Sequence, residues 1–288
     1  MIRHWYRVCS SNRRGELVHR QLLLAVAVGV CYAAAVSTPD VPEIMRRSVE
    51  NVQEDWSQAP KYSFVERDVE AKKNAQPTIR SYEVVMIDGS PYRRLIAVDD
   101  KPISAGEQAE EERKLHEEVQ RRQHESDRER SKRVEKYLRQ RHQDHAMFSA
   151  LVNAFDFQMM GQETVDGHDC WLLDATPKPG YQPTSRETKV LAGMRGQLWV
   201  DKSSDQWVKV EAQVVKPVSL FGFLARVGAG TRFMLEQQPV SGNLWLPKRF
   251  SMRVNASALG FINEDSMDDE TYRDYRPMSQ TSAALETH

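Results

Sequence analysis

The sequence predicts an α+β fold: a curved antiparallel β-sheet, an incomplete β-barrel, covered by helices and carrying a long charged helical insertion. Three observations predict it. Met194 to Pro217 has the two-residue period of paired strands around a polar turn. Leu198 and Val200 alternate with Gln197, Trp199 and Asp201, and Val208, Val210, Ala212 and Val214 alternate with Trp207, Lys209, Glu211 and Gln213. Pro39 to Trp56 carries one apolar stripe of Val41, Ile44, Met45, Val49, Val52 and Trp56, the cover that a sheet with one greasy face needs. Glu107 to Asp144 is dominated by Glu, Arg and Lys with no Gly or Pro, which reads as solvated helix.

The chain opens with Arg3, Arg7, Arg13, Arg14 and Arg20, then an apolar run from Leu22 to Ala35 that ends in the small residues Ala33-Ala34-Ala35. This is the order of a secretory signal, expected over residues 1–37. The run is short for a spanning helix, so export to the periplasm is expected, with an uncleaved inner-membrane anchor as the alternative. Cys9 and Cys31 fall in that segment, which leaves Cys170 alone in the mature chain. One cysteine forms no intramolecular disulfide, so the fold must stand on its core, and Cys170 beside Trp171 reads as a small buried hydrophobe.

The half-barrel begins over residues 38–103. Asp40 before Val41-Pro42 is a helix cap. The segment from Ile79 to Val98 reads as a meander: two strands around Asp88-Gly89, ending at Asp99-Asp100. Residues 104–155 form the insertion. Pairs such as Glu110–Lys114, Glu117–Arg121 and Glu135–Arg139 stand in the favourable order for helix, and Ser126-Asp127-Arg128-Glu129 resembles a capping box that breaks it in two. Between Val119 and Val134 no aliphatic residue occurs, so the middle is expected to have no core to pack on: a solvated helical insertion, or in the alternative an arm projecting to a protein partner or to anionic lipid headgroups.

The remaining strands are expected over 156–277. They run from Phe157 to Thr164 and from His168 to Ala175 around Asp166-Gly167, then through the tryptophan hairpin. Arg232 to Gln237, Leu244 to Val254 and Glu270 to Tyr275 complete them. Folding at Lys202-Ser203-Ser204 places Trp199 opposite Trp207 and Leu198 opposite Val208. Residues 278–288 read as a disordered tail.

Composition narrows the function. A 288-residue chain with 40% hydrophobic content buries a sizeable core, and a formal charge of -1 gives no basic surface for a nucleic-acid partner. No nucleophile elbow, P-loop, dinucleotide fingerprint or HExxH motif is present. His116, His124, His142 and His145 lie in the most hydrophilic stretch with no third ligand set by spacing, so they read as solvated face and no metal is expected. Asp166, His168, Asp169 and Asp174 read as a turn and the strand after it. The chain is therefore expected to be no enzyme and to need no cofactor.

The covering helix ending at Trp56, the LWVD…QWVKVE hairpin and the late NLWLPKRFSMRV strand resemble the envelope proteins related to the outer-membrane lipoprotein carrier, the LolA/LolB/RseB-like group. The chain is most similar to exported bacterial envelope members that share the phrases MIDGSPYRRL, DATPKPGYQP and RETKVLAGMRG. The charged insertion departs from the carrier. The resemblance implies a half-barrel whose concave apolar face accepts a lipid or lipoprotein acyl chain. Trp56, Leu198, Val208, Val210, Val214, Phe233 and Leu235 are the expected lining. Leu220, Phe221, Phe223 and Leu224, between Pro217 and Gly228, read from their own residues as a strand or helical turn packed in the core, with an apolar flap at the cavity mouth or a membrane-touching loop as the alternative. The alternative is an envelope structural or interaction protein with a self-filled core, meeting a protein partner through residues 107–141.

Overall fold

The computed structural model describes residues 39–72, 75–185, 187–219, 225–258 and 262–278. The expected signal, the flap residues Leu220, Phe221, Phe223 and Leu224, and the tail from 279 onward lie outside the described residues. Met278, expected to begin that tail, still donates its N–H to the Lys61 carbonyl at 2.8 Å.

Helix α1 (Val41–Gln58) starts where Asp40 accepts the Glu43 N–H at 3.4 Å, and Pro42 stands where no backbone donor is needed. Ile44, Met45, Ser48, Val52 and Asp55 are its buried stripe. Four strands follow: β1 (Tyr62–Lys72), β2 (Thr78–Ile87), β3 (Ser90–Val98) and the short β4 (Lys101–Pro102). Helices α2 (Ala105–Gln123) and α3 (Asp127–Ala154) come next. Both open on a complete capping box, Ser104 with Glu107 and Ser126 with Glu129, so the break lies where its residues indicate. The chain then gives β5 (Phe155–Val165), β6 (His168–Pro177), a 3-10 turn (Glu187–Gly193), β7 (Met194–Asp201) and β8 (Trp207–Val214). The short β9 (Val218–Ser219) and β10 (Ala225–Val227) precede the long β11 (Arg232–Ser241), β12 (Leu244–Ala258) and β13 (Ile262–Pro277).

Among the described residues these strands form one open antiparallel sheet in the order β4-β3-β2-β1-β13-β12-β11-β8-β7-β6-β5, with β9 and β10 attached at the far end of β12. The first long strand pairs with the last, so β1–β13 is the seam that joins the two halves. The Asp88-Gly89 and Asp166-Gly167 turns both hold positive φ, at 46° and 86° and at 51° and 86°, as two-residue hairpin turns require.

The sheet curves. From β3 to β5 there are nine strand-to-strand steps of about 4.8 Å, or about 43 Å if flat. Yet α3 packs against β3 near Val134 and runs on into β5 after about 30 Å of helix. The two ends of the sheet are thus drawn together on the side where α3 also meets α1. That side is concave.

Two expectations are corrected. In the tryptophan hairpin Leu198 stands opposite Val210, and Val200 opposite Trp207, with a bulge between Trp199 and Val200. The cause is the turn. The Asp201 carboxylate accepts the N–H and hydroxyl of Ser203 at 2.9 and 2.5 Å and those of Ser204 at 2.8 Å each, and Asp201 N–H closes on the Gln206 carbonyl at 2.8 Å. That places Trp207, not Val208, at the first position facing α1, and a bulge restores the apolar register further on. Trp199 and Trp207 therefore lie on opposite faces of the hairpin, and Val208 faces away from α1 with Trp199.

The charged insertion is docked, not projecting. Arg122 is 7% exposed and donates to Ile87 O at 2.7 Å, Ser90 O at 2.8 Å and Ser90 Oγ at 3.2 Å. Arg133 reaches Ser90 Oγ at 2.6 Å and Asp88 O at 3.2 Å. Guanidinium donors satisfy the carbonyls of the β2–β3 turn, and Glu118 and Glu125 balance the charge. An arginine here does what an aliphatic residue was expected to do.

Candidate apolar binding face

Opposed residues in an antiparallel pair share a face, so the registers trace the inner surface across the whole sheet. It runs from Met159 and Phe157 of β5, through Leu173 of β6, Leu198 of β7 and Val210 of β8, to Leu235 and Phe233 of β11. Phe250 and Met252 of β12, Glu270 and Asp268 of β13, then Glu66 and Asp68 of β1 with Tyr82 and Arg80 of β2 continue it. It is apolar for β5 to β12 and polar beyond.

Two helical covers fill the β5–β8 end. Ile44, Met45 and Val52 of α1 pack on Leu173, Leu198, Val200 and Trp207, and the Trp207 Nε1–H donates to the buried Ser48 Oγ at 3.0 Å. At the opposite ends of the same strands Ala154, Phe155, Leu191, Met194 and Val214 form a second core with the last turns of α3. What stays partly exposed is the middle: Phe233, Leu235, Phe250 and Met252. Leu235, Phe250 and Met252 belong to none of the three packed clusters.

The predicted lining residues divide accordingly. Leu198 and Val214 face inward but are buried at 3% and 0% exposure beneath the protein's own helices. Val208 lies on the other side of the hairpin with Trp199, Cys170 and Trp245, so it is withdrawn from the lining. Val210 and Phe233 are partly buried at the edges of the two inner cores, and Leu235 lies beyond both. Trp56 stands at the end of α1, where the Arg141 guanidinium of α3 stacks 4.1 Å from its ring centre and donates to its carbonyl. Sequence reasoning missed Phe250 and Met252, although their alternation with Ser251 and Arg253 was a signal for one shared face.

The polar end is ordered by charge. Glu66 is mostly shielded; burial pushes its carboxyl up to about 7, Arg93 pulls it down, and Glu270 and Asp68 push it up. Arg93 pairs with Glu66 and lies 4.1 Å from the Tyr82 ring centre. Phe64 packs against Tyr272 and Tyr275 at centroid distances of 5.8 and 5.4 Å, the Tyr272 hydroxyl donates to Glu270, and the Tyr275 hydroxyl to Pro247 O at 2.8 Å. Burial raises both tyrosines above their ordinary pKa.

At the rim, Asp55 of α1 is 5% exposed and its carboxylate accepts from the Trp245 backbone N–H and the Gln206 side chain. Asp55 Oδ2 and Gln206 Oε1 have no hydrogen-bond partner. Cys170 is fully buried, and burial pushes its thiol up to about 11, so it behaves as a hydrophobe. Among the described residues no group of three or more His, Cys, Asp or Glu side chains could hold a metal ion, and no helix is long and apolar enough to cross a membrane.

No protein-family model matches the chain, and no curated protein matches it in sequence. Solved structures similar to it include a LolA superfamily protein from Nitrosomonas europaea, at 12% identity over 85% of this chain and 96% of that one, with a TM-score of 0.32. A DUF1329 family protein from Desulfovibrio piger is similar at 14% identity, 86% and 98% coverage and a TM-score of 0.35. The MucA/MucB complex of Pseudomonas aeruginosa is similar at 12% identity, 80% and 99% coverage and a TM-score of 0.21.

Proposed function

We propose that this protein is a non-enzymatic binding protein of the periplasm that holds an acyl chain of a lipid or lipoprotein against the concave face of its open sheet. The observation that carries the reading is the partly exposed row Leu235, Phe250 and Met252 with Phe233, on the inner face, between two self-filled cores and a polar end. Each methylene buried there contributes about 0.8 kcal/mol, so a chain lying along the row binds without any polar motif. The row ends at Glu270, Tyr272 and the Glu66–Arg93 pair, which gives the face the apolar and polar ends of an amphiphile. Val210, opposite Leu235, flanks the row, and Leu198 and Val214 belong to the packed cores beside it. The basic and then apolar N-terminus supports the periplasmic location.

Native mass spectrometry of the protein purified from its own envelope tests this, with Leu235→Glu as the partner sample. A bound acyl lipid or lipopeptide that disappears in a folded Leu235→Glu protein is the expected result. A native chain that arrives empty and ignores added lipids overturns it. The second reading, an interaction protein with a self-filled core working through residues 107–141, draws on the complete burial of Leu198 and Val214 under the protein's own helices.

A further inference from the structure

The charges of the helical insertion balance in number but not in space. In α2 each cation is engaged: Arg113 with Glu110 and Glu117, Lys114 with Glu111, and Arg121 and Arg122 with Glu118. In α3 Arg133 and Arg141 turn inward to the β2–β3 turn and to Trp56, and Arg130, on that side by azimuth, is exposed near the start of the helix. That orients the helix. At 100° per residue, Arg128, Lys132, Lys136 and Arg139 fall within about 80° of arc on the opposite side. All four are exposed and make no ion pair or hydrogen bond with the described residues. Glu135 and Glu129 stand about 20° outside the two ends of the arc, and Glu129 is held by the Ser126 cap, so the arc is net positive.

We propose that this outward face of α3 is a docking surface for the anionic headgroups of a phospholipid bilayer. The four cations stand on a straight helix along about 16 Å, and long flexible side chains in one row suit a flat, diffuse layer of negative charge. Partners with fixed carboxylates demand pairing geometry, and among the described residues the one large exposed hydrophobic of α3 is Leu138, 43% exposed. The same helix crosses from the β3 edge to the β5 edge, beside the concave face. A bilayer on its outer side would bring that face next to the membrane from which an acyl chain must come. The surface itself does not depend on the acyl-binding reading.

Vesicle flotation with the full chain tests it, comparing phosphatidylcholine vesicles with vesicles that also contain phosphatidylglycerol. One variant combines Arg128→Gln, Lys132→Gln, Lys136→Gln and Arg139→Gln; a second reverses the same four positions to Glu. Both carry the native N-terminal arginines, so the difference from wild type reads the stripe alone. The native chain is expected to bind the anionic vesicles, to lose that binding at about 0.5 M salt, and to bind more than about tenfold more tightly than the Gln variant. Equal binding by native chain and Gln variant, or no preference of the native chain for anionic vesicles, overturns the proposal. Should the Glu variant fail to fold, the Gln variant and the salt titration decide. Leu235→Glu keeps vesicle binding if only the acyl-binding reading fails.

Discussion

Asp55 lies on the inner stripe of α1 with two donors for its carboxylate, while its Oδ2 has no hydrogen-bond partner. Burial pushes its carboxyl up to about 6 from an ordinary 3.8, and Glu66 up to about 7 from 4.5. A raised carboxyl pKa means that the folded chain holds the proton more tightly than the unfolded one. At pH 3 both states are protonated and neither group costs stability. Between about pH 4 and 7 the unfolded chain ionises first, and stability falls as pH rises; above that the loss is constant. Asp55→Asn keeps the shape and removes the titration. It is expected to be more stable than the native protein at pH 8, by on the order of 2 kcal/mol, with the gap closing toward pH 4. Urea melts at both pH values check this, and an equal gap at both would refute the assignment.

At the scale of elements, Arg122 is the sharpest test of how the insertion is held. Its guanidinium serves two carbonyls and a hydroxyl at the β2–β3 turn, while Glu118 lies 2.5 Å away. Arg122→Met removes the buried guanidinium donors from the Ile87 and Ser90 carbonyls, while Arg133 still reaches Ser90 Oγ, and a loss of about 2–4 kcal/mol is expected in denaturant melts. A change within about 0.5 kcal/mol would mean that the insertion is only loosely applied to the sheet. The capping boxes at Ser104 and Ser126 were legible because both partners lie within one turn of helix. The burial of Arg122 was not, because its acceptors come from a turn 32 residues away and upward in the chain. The tryptophan hairpin divides the same way. Its strands follow from alternation, but its register depends on the Asp201 turn and on Ser48 waiting for the Trp207 indole. The start of β13 was hidden because Glu264 to Glu270 is acidic and its pairing with β12 and β1, not its own composition, makes it strand.

For the whole molecule, everything hangs on β13. It lies between β1 and β12, and among the described residues the strand order has no other direct connection between the N-terminal and C-terminal strands. A chain ended at residue 261 is expected to lose cooperative unfolding altogether, because the β1–β3 meander and the β5–β12 half would then share no strand. A single sharp thermal transition in that truncated protein would show that the helices alone join the halves. The open order, with α3 drawn across from the β3 edge to β5, also explains why half of the candidate site was legible. Val210, Phe233 and Leu235 announce themselves by period-two alternation. Which of the inward residues stay accessible depends on where α1 and the end of α3 settle, and those positions buried Leu198 and Val214 while leaving Phe250 and Met252 in the gap.

By itself the sequence determined the fold class, the strands and their turns, the capped helices and a one-faced apolar sheet, because alternation, caps and Asp-Gly turns act within a few residues of the chain. Tertiary structure alone decided the strand order, the bulge that turns Val208 away and the docking of the charged helices. Those depend on contacts between residues far apart in the chain, where a carbonyl or a neighbouring strand can override what local composition implies.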